Sequence, residues 1–197
     1  MRCLVCGFVV LFGLVVAAGE PTKEELAAFK KSVAATSDFY AAGLQVRARN
    51  QSAPKADRLA ASQLHKRLRL RTAIALPWIQ ARDAKVGQIG RLAAVEVLQV
   101  VDGENMLIDV ASQQLEQGNL LPVDPHATMW LKGIPTKDVK VVDGQIIYIP
   151  ACVRITGTRT YKTAFGGEKS VMEAQPFDLS KEFPEAEVVY PSAIPNN

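Results

Sequence analysis

Between residues 86 and 175, apolar residues come in short runs cut by paired turn residues, and this punctuation restricts the fold more than any other feature. Gln88 to Val101 carries Ile89, Leu92, Val95, Val97, Leu98, Val100 and Val101, with Gly87 and Gly90 at its start. Asp102-Gly103 marks a turn, and Met106-Leu107-Ile108-Asp109-Val110 reads as the returning strand. A stretch rich in Gln, Asn and Pro over roughly 112–127 is predicted to be a loop, followed by a short strand at Thr128-Met129-Trp130-Leu131. Asp143-Gly144 leads into Gln145-Ile146-Ile147-Tyr148-Ile149, and Cys152 to Tyr161 alternates at period two until Gly166-Gly167 turns it into Ser170 to Ala174. Asp-Gly and Gly-Gly supply the positive φ angles that tight hairpins require. Five or six such strands predict a small antiparallel barrel, because closure removes edges that would otherwise pair with other chains. Gly87, Gly90 and Gly157 fall where a small barrel needs sharp bends. SH3-like and OB-like topologies both satisfy the pattern.

The preceding segment has a different period. Thr22 with Glu25 three residues on forms a capping box, and Leu26, Phe29, Val33, Tyr40 and Leu44 then recur at helical spacing over 22–48. From Pro54, a weaker pattern through Ala56, Leu59, Ala60, Leu64 and Leu68 reads as a helix to about Arg71. Alternation at Arg67-Leu68-Arg69-Leu70-Arg71 reads equally as an extended segment. Pro77 ends whichever element precedes it. The expected class is therefore α+β, an N-terminal helical region followed by a small antiparallel β-barrel. The organisation is a leader over 1–19, a basic helical region over 20–80, a barrel over 86–177 and a flexible, proline-bearing tail over 178–197.

The leader has the form of a secretory signal peptide. Arg2 precedes an apolar run from Leu4 to Val16, and Ala17-Ala18-Gly19 offers small residues for cleavage before Glu20-Pro21. The run falls short of the ~20 residues that span a bilayer, so cleavage is expected, with no transmembrane anchor in the exported chain. The expected location is periplasmic or extracellular. Cys3 and Cys6 lie inside the leader, which leaves Cys152 without an internal disulfide partner. Asn50-Gln51-Ser52 matches a glycosylation acceptor, which matters only in a eukaryotic secretory pathway.

Four strings together carry a family resemblance. They are Val86-Gly87-Gln88-Ile89-Gly90 with the Val-rich strand to Val101, Trp130-Leu131-Lys132-Gly133, Thr156-Gly157-Thr158-Arg159-Thr160-Tyr161, and Gly166-Gly167. Residues 86–175 so resemble exported, uncharacterised bacterial proteins of the planctomycete type, which join a signal peptide and a variable helical region to a small β-barrel. The resemblance implies a fold and a compartment, and it transfers no catalytic residue.

Reactive side chains are sparse. Asp124-Pro125-His126 offers a metal two ligands, and the other histidine, His65, lies in the helical half, so no metal or other cofactor is expected. Cys152 with His65 or His126 is a conceivable nucleophile–base pair, but the apolar run around Cys152 predicts a buried, inert thiol. No G-x-S-x-G, H-E-x-x-H or phosphate-cradling glycine loop is present. Charge is more informative. Residues 20–100 hold 14 basic and 7 acidic side chains, whereas 101–197 hold 8 and 13. Arg47, Arg49, Lys55, Arg58, Lys66, Arg67, Arg69 and Arg71 cluster against Asp57 alone. Such a stretch is a surface for nucleic acid, anionic envelope lipid or acidic polysaccharide, a solvated helix face, or a basic element docking on this chain's own acidic barrel. Trp130, Tyr148, Tyr161 and Phe165 are candidate stacking aromatics for bases or sugars. The sequence thus predicts a non-enzymatic interaction or structural module, with an envelope protein or anionic polymer as the partner class. A binder of oligonucleotide or anionic polymer is the alternative and a hydrolase the distant one.

Overall fold

The structure is a computed structural model that describes residues 19–92, 94–116, 119–134, 141–149, 151–163 and 165–189. The leader therefore lies outside the described residues, apart from Gly19. Helix α1 spans Lys23–Arg49 and α2 spans Lys55–Arg69, which resolves the ambiguous 55–71 segment as helix. Thr22 caps α1, its hydroxyl accepting from the Glu25 N–H at 3.1 Å while its own N–H donates to Glu25 Oε2 at 2.8 Å. After α2 the chain turns at Arg71, which takes a φ of 60°. The Thr72 N–H closes the helix on the Arg67 carbonyl at 3.1 Å.

Nine strands follow among the described residues: β1 Ala73–Ala75, β2 Ile89–Arg91, β3 Ala94–Val100, β4 Asn105–Glu116, β5 Asn119–Lys132, β6 Ile146–Tyr148, β7 Cys152–Lys162, β8 Glu168–Pro176 and β9 Glu187–Val189. Seven of them form one curled sheet in the order β2-β7-β8-β5-β4-β3-β6. The class is α+β with a partial barrel. The sheet is mixed rather than wholly antiparallel, because β5 and β8 run parallel through Met129–Met172 and Leu131–Ala174. Strands β2 and β3 follow each other directly in the chain, yet β2 pairs with β7 and β3 with β4 and β6. One bent stretch therefore supplies two well-separated positions in the sheet.

Two sequence expectations change. The loop expected over 112–127 is instead a long hairpin, with Ser112–Glu116 paired antiparallel to Asn119–Val123. Strand β8 neighbours β5 only over Met129–Leu131. Among the described residues, Pro122 pairs with β4 alone and Pro125 falls in the register irregularity between Val123 and His126, the settings in which a strand tolerates proline. The described part of the expected flexible tail, 178–189, packs back onto the body, and 190–197 lie outside the described residues. Strand β9 pairs parallel to β1 from Ala73–Glu187 to Ala75–Val189, while Phe177, Leu179 and Phe183 pack beneath α1. Apolar residues alternating with the prolines give this segment something to bury.

The barrel core collects Leu92, Val95, Val97, Met106, Ile108, Val110, Met129, Leu131, Val153, Ile155 and Ala174, the inward set of the alternating strands. A second cluster joins helix to barrel, with Phe29 and Val33 of α1 on Ile74, Leu76, Ile89 and Cys152. A third packs Ala41 and Leu44 of α1 and Ala61 and Leu68 of α2 on Ala73 and Ala75. Ser37 is fully buried within α1 and accepts the Ala75 N–H at 3.0 Å, satisfying a backbone donor of the short strand β1.

Glycine placement follows close backbone approach more than barrel bending. A Cβ on Gly90 would stand 2.6 Å from the Pro77 carbonyl oxygen. At Gly87, where φ is 86°, it would collide with the Glu25 carboxylate. Gly157 does mark an irregularity, since the β7–β8 register shifts between Ile155 and Gly157.

Candidate functional site

The basic stretch lies on the helical hairpin, and much of its charge is spent within the chain. Asp38 on α1 receives Arg71 Nη2 at 3.0 Å and Arg69 Nη1 at 3.5 Å, and Arg67 bonds Glu187 of β9. Each of these side chains keeps substantial solvent exposure, so the pairs contribute at most about 1 kcal/mol apiece. Their main effect is to set register between α1, α2 and the returning tail. Arg49, Lys55 and Lys66 are exposed, while Arg47 and Arg58 are half-buried.

The barrel aromatics divide. Trp130 and Tyr161 meet on the outward face of the sheet with Leu107, Val171 and Val101. Phe165 stands fully exposed at the β7–β8 turn. Tyr148 contributes its backbone to β6, and its side chain lies outside the described residues, as does that of Asp124 on β5. Trp130 does not present a free stacking face, because it is only 2% exposed. The Arg159 guanidinium lies over its ring at 4.0 Å. Arg159 is itself held by Glu173 at 3.4 Å, and Glu173 also accepts from Thr156 at 3.1 Å and Gln175 at 3.0 Å. The indole N–H donates to Asn105 Oδ1 at 3.1 Å.

Asp102 anchors the adjoining β3–β4 turn. Burial pushes its pKa up, but the Glu104 N–H, the Asn105 side chain and N–H and the Arg159 charge outweigh burial and hold it below the usual carboxylate value. The outward face around Trp130 is therefore a packed polar and aromatic network in which Arg159 bonds Glu173 through Nη1 while its buried Nε has no hydrogen-bond partner. The helical hairpin that carries the basic stretch packs on β1 and on Val189 of the tail.

The candidate nucleophile and bases each have other partners. Cys152 packs with Phe29, Val33 and Ile89, and its thiol donates to the Gly90 carbonyl at 3.3 Å. Burial drives the thiol pKa up to about 12, which keeps it protonated and unreactive at neutral pH. His126 instead faces outward on β5, where Nδ1 lies 2.5 Å from Asp109 Oδ2. His65 Nδ1 lies 2.7 Å from the Ala41 carbonyl oxygen between the two helices. Among the described residues, no group of three or more His, Cys, Asp or Glu side chains is placed to hold a metal ion, and no helix is long and apolar enough to cross a membrane.

One surface escaped the sequence reading. Helix α1 buries Phe29, Val33, Ser37, Ala41 and Leu44, but Phe39 and Val46 on its other side are 55% and 71% exposed. Ala28, Ala35 and Ala42 are exposed beside them. The available signal was a second apolar period in the same 27 residues, masked by the stronger stripe that carries Phe29 and Leu44.

No protein-family model matches the chain, and no curated protein sequence matches it.

Proposed function

We propose that this chain is an exported, non-enzymatic interaction module in which an OB-like barrel carries a rigid helical hairpin. The observation that carries the reading is the two-sidedness of α1: one face is sealed into the barrel and tail, and the opposite apolar face stands in solvent. The OB-like assignment is supported by the bent β2–β3 stretch, by the antiparallel β3–β4–β5 meander and by the parallel contact of β5 with β8. These relations support a five-stranded, partly open Greek-key barrel. Export is supported by the leader of Arg2, the apolar run to Val16 and Ala17-Ala18-Gly19, and places the module in the periplasm or outside the cell. The pairing of His126 with Asp109, together with the sealed thiol, speaks for binding rather than turnover.

Profiling the purified protein against hydrolase and transferase substrates tests the reading. No turnover is expected, and an activity abolished by a single substitution would overturn it. A second reading, an anionic-polymer binder, is favoured by the exposed Arg49, Lys55 and Lys66 on the hairpin. Phosphate contacts release counterions, so such binding must be strong at low salt and fall steeply as salt rises. A titration showing no affinity at low salt removes that reading.

A further inference from the structure

The interaction-module reading leaves open what covers the outer face of α1, and the residues on that face answer it. Ala28, Ser32, Ala35, Phe39, Ala42 and Val46 recur at alternating intervals of four and three residues, the spacing of a coiled-coil seam. Ser32 is half-buried and the other five are exposed, on the side of α1 opposite Phe29, Val33, Ala41 and Leu44. Helix α1 is therefore amphipathic twice over, with only one face used inside the chain.

We infer that the partner is a second copy of this chain, packed antiparallel through α1 about a two-fold axis level with Ser37. In that register Phe39 lies opposite the partner's Ala35, Ala42 opposite the partner's Ser32 and Val46 opposite the partner's Ala28. Each large exposed side chain meets a small one. A foreign partner gives no reason for the seam to complement itself, whereas an isologous interface requires it. Charge follows the same symmetry. The first turn of α1 carries the exposed Glu24 and the last turn the exposed Arg49, while Glu25 is held inside the chain by Arg154 at 2.8 Å. Antiparallel packing sets each acidic end beside the partner's basic end and opposes the two helix dipoles. A parallel pair would instead place like charges together. The contact is one helix per copy, so it forms a small interface that fills at moderate concentration.

This pairing depends on the interaction-module reading and names the partner for it. Sedimentation analysis of the protein at concentrations on the order of 10–100 µM is expected to give twice the chain mass. Val46→Glu and Phe39→Lys alter exposed side chains and should keep the thermal midpoint of the dissociated chain while weakening the dimer about tenfold or more. Arg49→Glu should weaken it as well, and Glu24→Lys combined with Arg49→Glu should restore it, because each copy then presents the exchanged pair. A monomer throughout the range overturns the pairing. A dimer indifferent to Val46→Glu overturns it equally, and so does one that the combined charge exchange fails to restore. The monomer result leaves the module reading to the turnover assay, and a turnover result leaves the measured mass untouched, so the two failures are distinguishable.

Discussion

Replacing Phe29 by alanine separates a barrel that merely carries its helices from one whose core includes them. Phe29 is 3% exposed and packs edge-to-face on Phe177 at 5.8 Å and on Phe183 at 6.0 Å, between ring centroids. Its neighbours Val33, Ile74, Leu76, Ile89 and Cys152 come from α1, β1 and the barrel wall. A buried Phe→Ala change typically costs about 3–5 kcal/mol. Two aromatic partners put this site toward the upper end, since such pairs add roughly 0.5–1.5 kcal/mol each beyond burial. Against a typical total of about 5–15 kcal/mol, that is a large fraction. With a urea dependence of about 2 kcal/mol per molar, the unfolding midpoint should fall by roughly 1.5–2.5 M. Circular dichroism at the helix band and tryptophan emission should report the same midpoint, because Trp78 lies on the segment joining α1's cluster to the sheet. Leu59→Ala, on the exposed side of α2, serves as the control and should shift the midpoint negligibly. A Phe29→Ala loss below about 1 kcal/mol would refute the composite core.

Three further outcomes follow from the same contacts. Gly90→Ala drives a Cβ into the Pro77 carbonyl at 2.6 Å, backbone that cannot turn aside; overpacking of about 1–3 kcal/mol should lower Tm by roughly 3–10 °C, and an unchanged Tm would sink the argument. Cys152 keeps its proton in the folded chain to about pH 12, whereas the unfolded thiol releases it near its ordinary value of 9.0. The unfolded state then holds fewer protons, so stability falls as pH rises above about 9, and Cys152→Ala should flatten that alkaline decline; rapid native labelling of Cys152 at pH 8, read by mass spectrometry, would contradict it. A fragment of residues 80–180 keeps every member of the main barrel cluster except Ile79. It should show a cooperative thermal transition and a β-type spectrum at a lower Tm than the whole protein, and an unfolded fragment would show that the barrel needs α1.

Local chemistry alone made much of this architecture legible. The capping box at Thr22 and Glu25 and the stripe through Phe29, Val33 and Leu44 specify α1, because capping and 3.6-residue periodicity act within one or two turns. Period-two alternation around Val153 and Ile155 and the Asp-Gly and Gly-Gly turns specify the strands for the same reason. The buried, inert thiol of Cys152 was also readable, since an apolar run predicts its own burial. Other features depend on partners distant in the chain. Strand β5 lies parallel to β8 across about forty residues, and no local signal records that choice. The tail over 178–197 reads as a flexible, proline-bearing end, and only β1 and Phe29 give its described part a surface to cover. Trp130 reads in the sequence as a candidate stacking residue, and only the packing of β5 beside β8 and β7 closes Arg159 over its ring and onto Glu173. Similarly, the basic stretch could not reveal that Asp38 and Glu187 would receive Arg71, Arg69 and Arg67, because ion pairs form between elements that meet only after folding. Periodicity sets which residues seek burial, whereas tertiary packing selects which of two apolar faces of α1 is covered and which remains for a partner.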